Sequence, residues 1–339
     1  MAKGRTTMAD VARRAGVSSA TVSMILSGRP DTRFSQETHA RVHQAAAELS
    51  YRPNAAARAL RTDRSHALAF ISDHVATTRF ANGLIRGALK GSARAGQMLM
   101  VMETGGVPER EALAIDSALD RQIDGIIFAS MRAREITLPK TPPAIPMVVL
   151  NGTSSQCPSW VLPDEEGGGR EAVRLLAEAG VAGEVALIGI NEEEERGLFR
   201  SLPIQRRLAG IRAGMAERGL AFAHEVSIWE WEPARGFEAV AALLASGDRP
   251  SALLCLNDRL AFGAYQACAE AGVRVPEDLS IVSFDNDELA AYLRPGLTTI
   301  ALPHDRMGEL AVDRVLAQSQ GEELVPMPAV VRGSIRGAG

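Results

Sequence analysis

The chain has little of what would place it in a membrane, a disulfide framework or a metal site. Although 46% of its 339 residues are apolar, no run of 18 apolar residues occurs, so no spanning helix is expected, and a soluble globular protein of two or three domains is. Cysteine is scarce. Cys157, Cys255 and Cys268 are an odd number without C-x-x-C spacing, which supports neither disulfides nor zinc and leaves buried free thiols as the expectation. Lys3 and Arg5 are not followed by an apolar stretch before Asp10, so a secretory signal is not expected and a cytoplasmic location is. Catalytic signatures are missing too: there is no G-x-S-x-G elbow, no G-x-x-x-x-G-K-[ST] loop and no H-E-x-x-H, and Gly167-Gly168-Gly169 lacks the lysine of a phosphate loop. Neither an enzyme nor a cofactor is expected.

What is present begins with charge asymmetry. Residues 1 to 66 carry 11 Lys and Arg against 5 Asp and Glu, while the remainder carries 26 against 36. A basic head on an acidic body suits a head that meets phosphates and releases their counterions. Within that head, Asp10 to Ser27 reads DVARRAGVSSATVSMILS. Two short apolar-periodic segments, Val11-Ala12-Ala15 and Thr21-Val22-Ile25-Leu26, flank Gly16, which is the outline of a helix-turn-helix. Thr7 and Asp10 form a capping-box pattern that starts helix one near Met8; Gly16 can end it in a left-handed conformation, and Ser18 can cap helix two, Ser19 to Leu26. The exposed face of helix two carries Ser18, Ser19, Ala20, Thr21, Ser23 and Met24, small enough at its start for close approach to DNA. A transport binding protein would carry a secretory signal and no such head.

Ser35 caps a third predicted helix, Gln36 to Leu49, whose inner face can use Ala40, Val42, Ala45, Ala46 and Leu49. Tyr51 to Arg61 follows, where Pro53 stops what precedes it and Asn54 can cap a short Ala-rich helix, marginal without a partner. The pattern T-M-A-D-V-A-R-R-A-G-V-S-S-A-T-V-S, then Y-R-P-N-A-A-A-R-A-L-R, resembles the lactose/galactose repressor family of bacterial transcription regulators. The resemblance implies a ligand-responsive repressor acting as a homodimer on a pseudo-palindromic operator of double-stranded DNA. It carries base reading to Ser19, Ala20 and Met24, phosphate and packing roles to Thr21 and Ser23, and a minor-groove hinge to Asn54, Ala57, Leu60 and Arg61, with Leu60 wedged into a base step. Thr7 and Ser18 join the expected DNA-contacting set. The alternative for Leu60 is an ordinary core position. Two departures stand out: Met24 replaces the family's common Arg and cannot make its bidentate contact to guanine, and the loop before Ser35 is longer.

After Thr62 to His66 the chain alternates near-continuous apolar strands with helices, the signature of parallel sheets covered on both faces. Strands are expected at 67–72, 98–102, 125–129, 147–151, 185–189, 225–229, 252–256, 280–285, 299–302 and 329–332. The fold class is therefore an all-α helix-turn-helix head plus an α/β body of two doubly wound parallel-sheet lobes, resembling the periplasmic sugar-binding proteins. The expected domains are a head at 1–50, a hinge and linker at 51–65, and an effector-binding and dimerisation body at 66–339. Lobe one would hold 66–162 and 303–328, and lobe two 163–302 and 329–339. No leucine heptad follows Arg332, so a dimer rather than a tetramer is expected.

Ligands in such sheets sit beyond the carboxyl ends of strands. Ser72, Asp73, Asn151, Asn257 and Asp285 fall there, Trp231 lies slightly beyond its strand, and Trp231 or Phe80 could offer a flat surface to a sugar's C–H face. The resemblance adds Arg207 and strengthens Asn151, Asn257 and Asp285 as effector-binding positions. Alternatives stand beside these: capping of a strand-to-helix turn for Asn151, Asn257 and Asp285, pairing with the run Glu192 to Glu195 for Arg207, and a core role for one of Trp229 and Trp231. A sugar or sugar derivative is the expected effector, with a purine or nucleoside as the alternative.

Overall fold

The computed structural model describes residues 6–26, 34–52, 64–74, 80–131, 135–139, 145–181, 184–191, 201–247 and 249–337. By its contacts the chain divides into two units, Met1–His66 and Ala67–Gly339.

In the first unit, α1 (Met8–Ala15), α2 (Ser19–Leu26) and α3 (Gln36–Glu48) close on one small core of Val11, Ala12, Ala15, Val22, Ile25, Val42, Ala45 and Ala46. The turn chemistry is as expected. Thr7 and Asp10 form a complete capping box, and Gly16 takes φ 65° and ψ 39°, a left-handed corner that disfavours a branched side chain. Ser18 Oγ accepts from Thr21 N at 3.0 Å, and Ser35 Oγ accepts from Thr38 N at 3.2 Å. Ala40, expected inside, is exposed, because Val42, Ala45 and Ala46 already fill the face of α3 that meets α1 and α2. Arg14 pairs with Glu48 at 2.6 Å, and Thr6 Oγ1 donates to the Leu49 carbonyl, so both ends of the unit are fastened to α3.

The second unit holds two six-stranded sheets. The first contains β1 (Ala67–Ser72), β2 (Met98–Glu103), β3 (Gly125–Ala129), β4 (Met147–Leu150), β5 (Ser159–Pro163) and β11 (Gly321–Val325), ordered β11-β5-β4-β3-β1-β2 and parallel throughout. The second contains β6 (Val185–Ile190), β7 (Phe222–Ser227), β8 (Ala252–Cys255), β9 (Ser280–Asp285), β10 (Thr298–Ala301) and β12 (Ala329–Val330), ordered β12-β10-β9-β8-β6-β7. Only β12 runs antiparallel among these described pairings.

Each sheet has a buried apolar cluster on either face. On the first, α4 (Phe80–Arg94) packs with α10 (His304–Ala317), and α5 (Pro108–Leu119) covers the other face. On the second, α6 (Glu165–Glu178) packs with α7 (Leu202–Glu217), and α8 (Pro233–Ala245) with α9 (Asp258–Glu270). These helices meet at glycine, where a Cβ would strike opposing backbone: Gly87 against Asp305 and Gly308 against Leu84, Gly169 against Arg207 and Gly210 against Glu166, Gly236 against Leu260 and Gly263 against Pro233.

Two strands escape the sequence pattern. β5 is bounded by Pro158 and Pro163, which read as breakers, and β11 is an edge strand whose Glu322 and Glu323, partly exposed and paired with Arg206 and Arg314, break the apolar pattern as edges tolerate. Helix α6 starts at Glu165 on an Asp164 cap, and Gly168 and Gly169 within it are buried packing positions. Helix α7 starts at Leu202 on a Ser201 cap, one and a half turns before Arg207, and β7 ends at Ser227, short of Trp229.

Three short crossings join the lobes, and each leaves the carboxyl end of a strand: β5 into α6, β10 into α10, and β11 into β12. Such brief links set the carboxyl edges of the two sheets against one another. Backbone bonds fasten the crossings, Asp164 N to Val325 O at 2.8 Å, Ala301 N to Pro328 O at 2.8 Å and Leu302 N to Asp285 O at 3.3 Å.

Candidate effector cleft and DNA-facing helix

On α2, Ser18, Ser19, Ala20 and Met24 are exposed while Thr21 and Ser23 are half-buried and Val22 and Ile25 face the core. Thr7 is exposed beside them in sequence order, at the start of α1. Asn54, Ala57, Leu60 and Arg61 lie outside the described residues.

The parallel register brings the expected cleft residues to two opposed rows. In the first sheet Ser72 pairs with Ala129 and Ala129 with Leu150, so Asp73, Ser130 and Asn151 end neighbouring strands. Asp73 is buried, and its Oδ1 accepts from His74 N at 2.8 Å, Met131 N at 2.9 Å and Ser72 Oγ at 3.4 Å. One carboxylate thus ties the ends of β1 and β3 together. Asn151 adopts φ 55° and donates from Nδ2 to the Ser130 carbonyl at 2.8 Å, bracing the same edge rather than capping a helix. Phe80 opens α4, and its side chain lies outside the described residues.

In the second sheet Asn257 caps α9, its Oδ1 accepting from Leu260 N at 2.9 Å and its Nδ2 reaching the Trp231 carbonyl at 3.5 Å. Trp231 is half-buried and spends its indole N–H on the Gly189 carbonyl at 2.8 Å. Trp229 is 56% exposed and lines an outer groove with Val226, Arg235 and Glu238. The two tryptophans therefore part company, one in the packing and one outside.

Arg207 is buried and pairs with Glu165; the Glu192–Glu195 run lies outside the described residues. Nε and Nη2 donate to the two Glu165 oxygens at 2.7 and 2.8 Å, Nη1 donates to the Leu256 carbonyl at 2.6 Å, and the guanidinium lies 4.4 Å from the Phe284 ring centroid. Asp285, at φ 109°, ends β9 next to that ring. Burial pushes its carboxyl well above the usual carboxylate range; Arg207 opposes this, and the like charges of Asp258, Glu165 and Asp287 reinforce it. Asp258 is wholly buried and accepts from Ser283 Oγ, from Thr299 Oγ1 at 2.8 Å and from Asp287 N at 2.6 Å, so it shapes the loop that follows Asp285. Burial still pushes it up to about 6.

Two participants were not assigned roles from sequence. Glu165 sits in an Asp-Glu-Glu run that reads as a solvated helix start, and its partner is 42 positions away. Asp258 follows Asn257 but turns inward to hydroxyls on β9 and β10, which sequence spacing does not announce. A further pair links the lobes. Arg206 on α7 meets Glu322 on β11 at 2.6 Å, and Trp160 Nε1 donates to the same Glu322 oxygen at 3.2 Å. Among the described residues no His, Cys, Asp and Glu cluster is arranged to hold a metal, and no helix is long and apolar enough to cross a membrane.

A helix-turn-helix unit together with a two-lobed body whose polar strand ends oppose each other defines a ligand-responsive, DNA-binding regulator of transcription. Residues 7–54 match the model of the bacterial regulatory proteins, lacI family, and residues 173–336 that of the periplasmic binding protein-like domain. The chain is 32% identical over 342 residues to the ribose operon repressor of Escherichia coli strain K12, covering 97% of this chain and 99% of that protein. It is 32% identical over 327 residues to the HTH-type transcriptional repressor PurR of Vibrio campbellii, covering 94% and 93%. The crystal structure of the lac repressor dimer bound to operator and the anti-inducer ONPF matches with a TM-score of 0.76 at 25% identity, covering 98% of this chain and 99% of that one. The chain belongs to the lacI family of bacterial regulatory proteins. It is a regulator and not an enzyme.

Proposed function

We propose that the chain represses transcription in the cytoplasm by binding a pseudo-palindromic operator as a homodimer, and that a sugar or sugar derivative held between the lobes sets its affinity for DNA. The head (1–50) reads DNA through Thr7, Ser18, Ser19, Ala20, Thr21, Ser23 and Met24, and the hinge (51–65) through Asn54, Ala57, Leu60 and Arg61. The body (66–339) takes the effector with Ser72, Asp73, Phe80, Asn151, Arg207, Trp231, Asn257 and Asp285. The observation that carries the effector reading is the pair of opposed strand-end rows, in which Asn151 and Asp285 are both held at positive φ beside buried polar groups. Polyhydroxylated ligands need many fixed hydrogen-bonding groups of this kind. An effector alters DNA binding only by as much as it prefers one arrangement of the lobes.

The dimer reading is supported by the open edge of the first sheet, where Met98 on β2 is 68% exposed, with Leu89 on α4 and Leu113 on α5 also exposed on the flanking helices. Large apolar side chains left exposed at a sheet edge and on its flanking helices suit burial against a second copy. Selection from random duplexes is expected to return a two-fold symmetric site; sites lacking that symmetry would refute the dimer reading. Leu60→Ala is expected to weaken specific binding far more than non-specific binding, as loss of a minor-groove wedge does. The likeness to PurR favours a second reading, a purine or nucleoside effector. A thermal-shift screen of sugars and nucleobases separates the two, and stabilisation by purines alone selects the second.

A further inference from the structure

Arg207 is neutralised before any ligand arrives. Both arms of its fork are spent on Glu165, and a third N–H on the Leu256 carbonyl, while the side chains of the pair are each 3% exposed. A guanidinium has five N–H donors, so two are left for a ligand but no net charge is. The remaining charge around it is negative. No described donor lies within hydrogen-bonding distance of the Asp285 carboxyl, whereas Asp258 is saturated by Ser283, Thr299 and Asp287 N. Arg332, the guanidinium bonded to neighbouring Asn286, is engaged there and by the Leu297 carbonyl. Among the described residues, a phosphate or carboxylate placed at this strand edge would therefore meet a neutralised Arg207 and the acidic side chains of Asp258 and Asp285 without a free cation to offset its charge. A hydroxyl meets no such penalty: it can donate to Asp285 and accept from the spare Arg207 donors.

We propose that Glu165 is a positioning residue that sets effector specificity: by pairing with Arg207 it makes the cleft select ligands carrying no net negative charge and reject phosphorylated or carboxylated ones. This rests on the reading that the effector binds between the lobes, and it holds for a sugar or a nucleoside alike.

The test is calorimetry and thermal shift on the full-length protein with matched pairs: ribose and ribose 5-phosphate, glucose with glucose 6-phosphate and gluconate, adenosine and its monophosphate. In the pair that binds, the uncharged member is expected to bind about 100-fold more tightly, the scale of a like-charge juxtaposition. Glu165→Gln, which frees the Arg207 charge while keeping its shape, is expected to narrow that ratio by about 10-fold. Loss of a merely structural contact would weaken both members alike and leave the ratio unchanged, which overturns the proposal, as does a wild-type preference for the anionic member. Inorganic phosphate provides an arm that needs no natural effector: it should not stabilise the wild type and should stabilise Glu165→Gln. If no pair binds while phosphate gains affinity in the variant, the effector reading fails for these ligands and the specificity role stands. Absence of that gain overturns the role itself. Should Glu165→Gln fail to fold, Glu165→Asp, one methylene shorter, opens the pair and is expected to move the ratio and the phosphate response in the same direction by less; no movement overturns the proposal.

Discussion

His304 is held neutral where β10 passes into α10. Burial pushes its pKa down from 6.5 to about 4, against the pull of Asp305. Below pH 6.5 the unfolded chain takes up a proton that the folded chain refuses, so this residue removes stability as pH falls from about 6.5 to about 4, by up to about 3 kcal/mol. Asp258 works in the opposite sense, since a carboxyl raised to about 6 keeps its proton only when folded, and its contribution is lost as pH rises from 3.8 to about 6. Melting temperatures of His304→Gln and wild type, compared across this range, should diverge in favour of the variant as pH falls; parallel curves would refute the assignment. At this scale the sequence was informative about which residues stand at strand ends and silent about their partners. Asp73 was in place, but its bond to Met131 N, 58 positions on, depends on a path only the fold decides, whereas the Asn257 cap on Leu260 N, three positions on, matches the capping alternative.

At the scale of elements, local chemistry was legible where a side chain and its partner are close in sequence. The Thr7 box, the Gly16 corner and the Ser18 and Ser35 caps all span three residues or fewer, and all formed. β5 and β11 were hidden because each departs from the pattern of a buried strand, one through flanking prolines and the other through edge glutamates. Gly167 to Gly169, which lack the lysine of a phosphate loop, lie inside α6, where Gly168 packs on Met327 and Ile300 and Gly169 on the backbone of α7. The corner at Gly16 gives a direct prediction. Gly16→Val places a branched residue at φ 65°, which costs about 1–3 kcal/mol in a unit with only a small core. Its helix-turn-helix should melt earlier and operator affinity should fall while ligand binding by the body is unaffected; unchanged operator affinity would count against the corner's role.

For the whole molecule, the alternation of strand and helix predicted two doubly wound lobes, because that alternation leaves few ways to cover a parallel sheet. What could not be read was how the lobes are held, since Arg206 and Glu322 are 116 positions apart. Their pair is partly exposed, so its worth to stability is small, at most about 1 kcal/mol. Its position gives it leverage. In Glu322→Gln the arrangement seen here is loosened, so a ligand that selects it should bind up to about fivefold more weakly, and operator affinity should shift by the linked amount. Effector titrations at two salt concentrations check this, because the difference between variant and wild type should shrink as salt rises. No shift in either affinity would exclude the pair from the coupling.

The glycine contacts between helices have a consequence for motion. Where backbone meets backbone, as at Gly169 with Arg207 and Gly308 with Leu84, there is no side chain to change rotamer and no slack to absorb a shift. Each lobe must then move as one block, and any displacement caused by ligand is concentrated in the links at 163–165, 301–304 and 325–329. Amide exchange with and without effector should therefore change at those links and at the strand ends beside them, while the amides of α6, α7, α4 and α10 keep one rate in both states. A regulator built this way transmits by rotation about short backbone joints, and exchange spread evenly through the helices would show a softer molecule than this one.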